Sequence, residues 1–291
     1  MIRQGLRAAA AAVAAARYEV IPTASIEDAV LEFVPRDVTV AVTASPTKGL
    51  ETTLELAEHL RRAGYDVVPH VSARLVRDDA HLAEIVARLH ELGIGDIFVP
   101  AGDADPPVGK FESSLSLLEA LHGISEATER PLPRMGITGY PESHPKIGDD
   151  VTIQAMWDKR RYASYIVSNM CFDAATLKAW VHRVRARGVA LPLRVGIAGP
   201  VDRTKLVSMA SKIGVADSVR YLRSNSSTVL RLNAPGGYVP DRLLQKVGPM
   251  LADPASKVEG LHVFTFNQVR ETELWRRELL ERLAVAAAPG A

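Results

Sequence analysis

The sequence predicts one α/β domain of the (β/α)8 TIM-barrel class, with an extra N-terminal helix ahead of the first strand. Three observations carry that expectation. Eight short β-branched or apolar runs recur along 291 residues, amphipathic helical patterns fill most of the intervals, and no early strand ends in a Gly-x-Gly-x-x-Gly turn. Strict strand–helix alternation implies a parallel sheet, and the missing glycine turn argues against an open dinucleotide-binding sheet. The length suits one barrel, so 1–291 is expected to form a single domain, with the helix over 1–17 and the barrel over 18–287.

In chain order, the segment after Met1 comes first. Arg3 and Arg7 followed by an alanine run through Ala16 resemble a short signal peptide. Alanine is a strong helix former but a weak hydrophobe, and the run is too short to span a bilayer. A helix against the bottom of the fold is the expectation. The candidate strands are Tyr18 to Pro22, Val38 to Thr43, Val67 to Val71, Asp96 to Pro100, Arg134 to Thr138, Tyr165 to Phe172, Leu193 to Ala198 and Leu261 to Phe266. Between them, Leu50, Leu54, Leu56, Ala57 and Leu60 share one helical face. So do Leu82, Ile85, Val86, Leu89 and Leu92, and again Leu177, Trp180, Val181 and Val184. Asp78-Asp79 reads as a helix start, and Gly64, Gly93 and Gly188 as residues just past helix ends.

Composition narrows the function classes. A formal charge of +1, with basic and acidic residues interspersed, disfavours a nucleic-acid binder. The single cysteine, Cys171, excludes an internal disulfide and a cysteine-only zinc site, and a reducing cytoplasm is the natural reading. There is no Walker loop, Gly-x-Ser-x-Gly elbow or His-Glu-x-x-His helix, so nucleotide hydrolases, serine hydrolases and zincins are disfavoured. No metal site is expected.

Barrel chemistry sits at strand C-terminal ends, and polar residues gather there in this chain. The expected set is Glu19, His70, Gly102-Asp103, Tyr140, Glu142, His144, Ser168, Asn169, Thr265, Asn267 and Gln268. The segment Tyr140 to Pro145 is the most distinctive, because two prolines stiffen a loop that holds an aromatic, a carboxylate and an imidazole.

Over nearly its whole length the chain resembles the methylenetetrahydrofolate reductases. The family's Tyr-Pro-Glu-x-His-Pro is reproduced by Tyr140 to Pro145, and its Phe-Glu-Phe-Phe-Pro-Pro is similar to Tyr18 to Pro22. Its Arg-Gly-Asp followed by Pro-Pro is similar to Ala101 to Pro107, its Thr-Gln-x-x-Phe-Asp to Ser168 to Asp173, and its His-x-Tyr-Thr-Leu-Asn to His262 to Asn267. The resemblance implies a TIM barrel that reduces 5,10-methylenetetrahydrofolate to 5-methyltetrahydrofolate, in one-carbon metabolism leading to methionine. It implies Glu19 as the general acid for ring opening, Asp103 as the carboxylate that orients the pterin and stabilises the iminium, and Asn169 and Gln268 as folate contacts. Cofactor contacts fall on Thr43, His70, Tyr140, His144, Lys159 and Arg160.

The departures bear on the cofactor. The family binds FAD over a Tyr-Gly-Ala-Gly-Gly-Ser turn, where this chain reads Thr43-Ala44-Ser45-Pro46-Thr47-Lys48-Gly49. The arginine before Gly-Asp is Ala101, Asn169 stands for a glutamine, and Gln268 for a folate-tail arginine. Losing the close-approach turn and the charged phosphate contacts weakens FAD, so the expected donor is NADH or NADPH passing hydride directly, with FAD possible but doubtful. Structural roles compete throughout. Asp103 could cap a segment, His144 could brace its loop, Asn169 could satisfy local backbone, Lys159 to Arg161 could be a solvated helix face, Trp157 could be packing and Cys171 inert core. An FAD-dependent reductase, a folate-binding methyl-transfer barrel without reductase activity, and a reductase of another pterin remain alternatives. The Asn225 to Asn233 region leaves room for altered tail recognition.

Overall fold

A computed structural model describes residues 2–129, 131–144, 147–201 and 238–287. Its strands are β1 Arg17–Val20, β2 Val40–Val42, β3 Val67–Pro69, β4 Asp96–Phe98, β5 Arg134–Gly139, β6 Tyr165–Ser168, β7 Leu193–Ala198 and β8 Val258–Phe264. Helices among the described residues are α1 Ile2–Ala14, α2 Ile26–Phe33, α3 Glu51–Arg62, α4 Asp79–Glu91, α5 Ser114–Thr128, α6 Asp149–Lys159, α7 Ala174–Ala186, α8 Asp241–Leu251 and α9 Val269–Ala287.

The strands pair in parallel in the order β3-β2-β1-β8-β7-β6-β5-β4. A parallel bridge between His70 and Phe98 joins the two ends of that order, with Val71 N–H donating to the Phe98 carbonyl at 2.8 Å. The result is a (β/α)8 barrel. Helix α1 packs on α8 and α9 and against β8, and Arg194 at the start of β7 reaches the Ala15 carbonyl at 3.2 Å. That contact places the end of α1 at the strand-start face, as its alanine-rich pattern predicts.

Helix signals in the sequence correspond to real caps. Asp78 accepts from the His81 backbone N–H at 2.8 Å at the start of α4, and Asp173 caps α7 through Thr176. Gly64, Gly93 and Gly188 have φ of +91°, +60° and +80°, the left-handed geometry that ends a helix. Most strands end a few residues from the expected bounds, and at β6 and β8 the cause is visible. β6 stops at Ser168 because the Asn169 side chain and Glu142 bind the Met170 and Phe172 N–H groups that a longer strand would pair. β8 begins at Val258 and stops at Phe264, because Phe266 and Asn267 turn to φ of +52° and +61°.

Apolar burial divides into the helix–sheet layer and a barrel interior. The interior holds Ala41, Val68, Phe98, Tyr165 and Val167. Gly136 makes room for Tyr165, since a Cβ there would lie 2.6 Å from its ring. Toward the strand-start end, Arg17 donates to the Tyr165 hydroxyl at 2.9 Å and to Asp96 at 2.6 Å, and Tyr165 donates to Asp96 at 2.7 Å. This buried group plugs the base. The opposite end is left for polar side chains that can act.

Candidate functional site

Glu19 leads the site because strand alternation aims it inward, two residues above Arg17 on β1. Its neighbour Tyr18 faces outward and donates to Glu273 of α9 at 2.8 Å. The Glu19 side chain is 14% exposed, and its Oε2 lies 2.8 Å from His262 Nε2 and 3.8 Å from His70 Nε2. His70 and His262 are themselves buried, with rings stacked at 6.4 Å between centroids. Phe98 and Phe264 pack on them at 4.7 and 5.0 Å. Burial holds the His70 imidazole down at about 4, with Glu19 opposing and His262 adding to that effect, so the ring is neutral at pH 7.

The three donor atoms lie within 4.8 Å of one another, a set that could in principle hold a metal. The 2.8 Å contact is a hydrogen-bond length, shorter than the roughly 3.3 Å donor separation around a tetrahedral ion with 2.0–2.1 Å bonds. Glu19 and His262 are joined by a hydrogen bond whose donor is set by the histidine tautomer.

Around this centre, the rim is built by the loops that follow the strands. Asp103 is exposed after the left-handed Gly102 and acts electrostatically on the Tyr140 hydroxyl. Burial raises the Tyr140 hydroxyl above its usual range, opposed by a hydrogen bond with Thr138 and reinforced by Asp103. Tyr140 and His144 meet edge to face at 4.9 Å. In the same loop Glu142 accepts from the Phe172 N–H at 2.9 Å, which ties the β5 and β6 loops together. Thr43 closes β2, its N–H bonded to the Val20 carbonyl and its carbonyl to Thr53. Gln268 is half-buried at the start of α9, with its carbonyl taken by Thr272.

Asn169 spends its side-chain carbonyl on the Met170 N–H at 2.8 Å, leaving its amide NH2 for another partner. Asn267 is a clamp rather than a ligand: it accepts from the Ile21 N–H at 2.8 Å and donates to the Ile21 carbonyl at 2.8 Å and Thr23 at 3.1 Å. Cys171 is buried, and burial pushes its thiol up, so it is inert.

Lys159 and Arg160 are not brought to this face. They end α6, and the next residues enter β6 at the strand-start end, where Ser164 N–H bonds the Met135 carbonyl at 2.8 Å. Arg160 lies over the Trp157 ring at 3.4 Å and donates to the Trp157 carbonyl. Burial lowers the Lys159 ammonium to about 8. The sequence order of these residues suggested phosphate contact, but the direction of the helix carries them away.

The segment in place of the family's glycine turn is also distinctive. Ser45 and Gly49 bridge each other, and Lys48 Nζ donates to the Pro22 carbonyl at 2.5 Å. A lysine side chain thus ties β1 to the β2 loop where a glycine backbone would admit a cofactor. Pro145 and the Asn225 to Asn233 region lie outside the described residues.

Sequence reading overlooked His262 as a site residue. The signal was its alternation with Phe264, since both sit at i and i+2 among the outward Leu261 and Val263. Also unforeseen was an aromatic group at the ends of β6 to β8. There Met170, Ala198 and Val201 are buried under Phe172, Tyr238, Phe264 and Phe266.

A barrel with a buried carboxyl–imidazole centre inside its strand-end mouth belongs to the class of (β/α)8 proteins whose chemistry lies at that face. The model of one family, methylenetetrahydrofolate reductase, matches residues 27–274. The chain belongs to the methylenetetrahydrofolate reductase family. Among solved structures, it is similar to a Clostridium thermocellum protein that binds two copies of 5-methyl-5,6,7,8-tetrahydrofolic acid, with TM-score 0.64, 8% identity and coverage of 92% of this chain and 95% of that one. It is similar also to a GH18 chitinase from Pseudoalteromonas aurantia, with TM-score 0.53, 10% identity and coverage of 91% and 99%. At such identities these likenesses speak for the fold alone, and the chitinase shows how differently one barrel can be used. Among the described residues no helix is long and apolar enough to cross a membrane.

Proposed function

We propose that this protein reduces 5,10-methylenetetrahydrofolate to 5-methyltetrahydrofolate with NADH or NADPH, by direct hydride transfer and without tightly bound FAD. The observation that carries the reading is the mostly enclosed Glu19, hydrogen-bonded to His262 at the barrel mouth. Opening the five-membered ring requires a proton on the departing nitrogen, and Glu19 supplies it. The positive charge left on the methylene iminium is stabilised by Asp103, the exposed carboxylate of the rim. Hydride from the nicotinamide then reduces the methylene carbon to methyl, so one proton and one hydride are added and NAD(P)+ leaves. Asn169 offers its amide hydrogens to the pterin edge, and Gln268, half-buried at the start of α9, is assigned to the folate tail.

The residues present fit FAD poorly. The Lys48 tie replaces the glycine turn, Ala101 replaces the arginine, and Lys159 and Arg160 end their helix at the opposite face. His70, Tyr140, His144 and Thr43 are retained at the mouth and are assigned to the nicotinamide half of the donor. Glu19→Gln tests the reading against a folate-binding barrel without reductase activity. The expected result is a loss of turnover of about 10²-fold or more with folate binding kept. Unchanged turnover sinks the reductase assignment.

A further inference from the structure

We infer that Glu19, His70 and His262 form a binding site for one divalent transition-metal ion of the zinc class, reached from the barrel mouth. The site stands on these donor atoms alone, and only its effect on turnover rests on the proposed role of Glu19.

Two imidazoles and one carboxylate are a donor set that Zn²⁺ and Co²⁺ accept, and an ion held by three protein ligands keeps a fourth position for water or substrate. Donors around a tetrahedral ion with bonds of 2.0–2.1 Å stand about 3.3 Å apart. Here Glu19 Oε2 lies 2.8 Å from His262 Nε2 and 3.8 Å from His70 Nε2, and the three ligand atoms lie within 4.8 Å of one another. The separations bracket the one required. At Glu19 the adjustment is about half an ångström in either direction, which small side-chain rotations provide. The ion takes the place of the hydrogen between Glu19 and His262. Nε2 must then offer its lone pair, so the ring hydrogen sits on Nδ1.

Burial points to a ligand independently of the spacing. His70 is 6% exposed and His262 3%, and His70 Nε2 and His262 Nδ1 have no hydrogen-bond partner among the described residues. Buried polar atoms are normally satisfied, and an ion at this point satisfies His70 Nε2. Among the described residues, the groups within ion-pair distance of Glu19 are the two histidines, so no lysine or arginine there holds its charge. Phe98 and Phe264 pack against the rings and limit their movement, while Glu19 at 14% exposure leaves an entry path. No sequence spacing announces the set, because its members come from β1, β8 and the residue after β3.

One feature limits affinity. A metal-bound histidine normally donates its second N–H to a carbonyl or carboxylate, and His262 Nδ1 has no such acceptor among the described residues, so binding is weaker by about 10–100-fold than with one. An ion held here also occupies the carboxylate proposed to protonate the departing nitrogen. Zn²⁺ should therefore inhibit reduction, and a chelator should restore it.

The test is a titration of the full chain with Co²⁺, whose visible bands are intense in a four-coordinate site and weak in the hydrated ion. The expected bands saturate at one equivalent, fade as Zn²⁺ displaces Co²⁺, and need about tenfold or more Co²⁺ in His70→Gln and in His262→Gln. Bands that never appear, or that saturate unchanged in either variant, overturn the site. Zinc-edge X-ray absorption of the unaltered chain decides however the variants fold: scattering from two imidazoles supports the site, and fewer overturns it. If the cobalt bands appear but Zn²⁺ leaves turnover unchanged, the site stands and the acid role of Glu19 falls. If Glu19→Gln abolishes turnover but no bands appear in the parent, the reductase reading stands and the site falls.

Discussion

At the scale of single residues, the behaviour of His70 is set by where the barrel closes. Its backbone forms the bridge to Phe98, so its ring cannot leave the interior, and burial holds it neutral down to about pH 4. Unfolding exposes the ring and restores its ordinary value of 6.5. The unfolded chain thus binds more protons between those two values. The contribution of His70 to stability is present above pH 6.5 and is lost as pH falls toward 4, on the order of 3 kcal/mol in all. Urea midpoints measured across that window should fall with acid in the parent, and fall less steeply in His70→Gln. Equal slopes would remove His70 from the acid response. Glu19 and His70 were legible from the sequence because polar residues at strand ends stand out against apolar runs. His262 was not, because a single histidine inside an apolar strand looks the same whether it faces the core or the cavity.

Among the elements, strand centres were easier to read than strand ends. All eight strands fall on the expected apolar runs, since β-branched sequences on a buried parallel sheet leave little alternative. Their ends depend on side chains from distant loops, such as Glu142 capturing the Phe172 N–H or Asn267 capturing both polar groups of Ile21. No local pattern records those bonds. The same blindness misplaced Lys159 and Arg160, because spacing along the chain does not say at which face of the barrel a helix ends. Asn267 sits at φ +61° and clamps β1 to β8, so its two contributions can be separated. Asn267→Gly keeps the backbone geometry and loses the bonds, at a cost of about 1–2 kcal/mol. Asn267→Ala adds left-handed strain of about 1 kcal/mol and should unfold at lower denaturant than the glycine variant. Equal midpoints would mean that the turn is unstrained.

For the whole molecule, the barrel separates its two ends chemically. Its base is plugged by Arg17, Asp96 and Tyr165, bonded to one another, while the mouth keeps imidazole nitrogens without partners among the described residues. Removing one charge from the base should be worse than removing both. Arg17→Met leaves Asp96 in a mostly buried site with only the Tyr165 hydroxyl and a 3.9 Å contact to Arg134, and should cost about 2–4 kcal/mol, whereas Arg17→Met with Asp96→Leu should recover much of that loss. Guanidinium unfolding of the two variants checks the order, and a double variant weaker than the single would show that packing rather than charge governs the base.

The mouth carries the central claim, that a family scaffold built around FAD here works with the nicotinamide donor alone. Its most direct test is anaerobic oxidation of NADH or NADPH by flavin-stripped protein, with and without 5,10-methylenetetrahydrofolate. The account predicts oxidation only when the folate is present, matched mole for mole by 5-methyltetrahydrofolate, from protein with no flavin absorbance. Oxidation that begins only after FAD is added, or stoichiometric flavin in the purified protein, would contradict it.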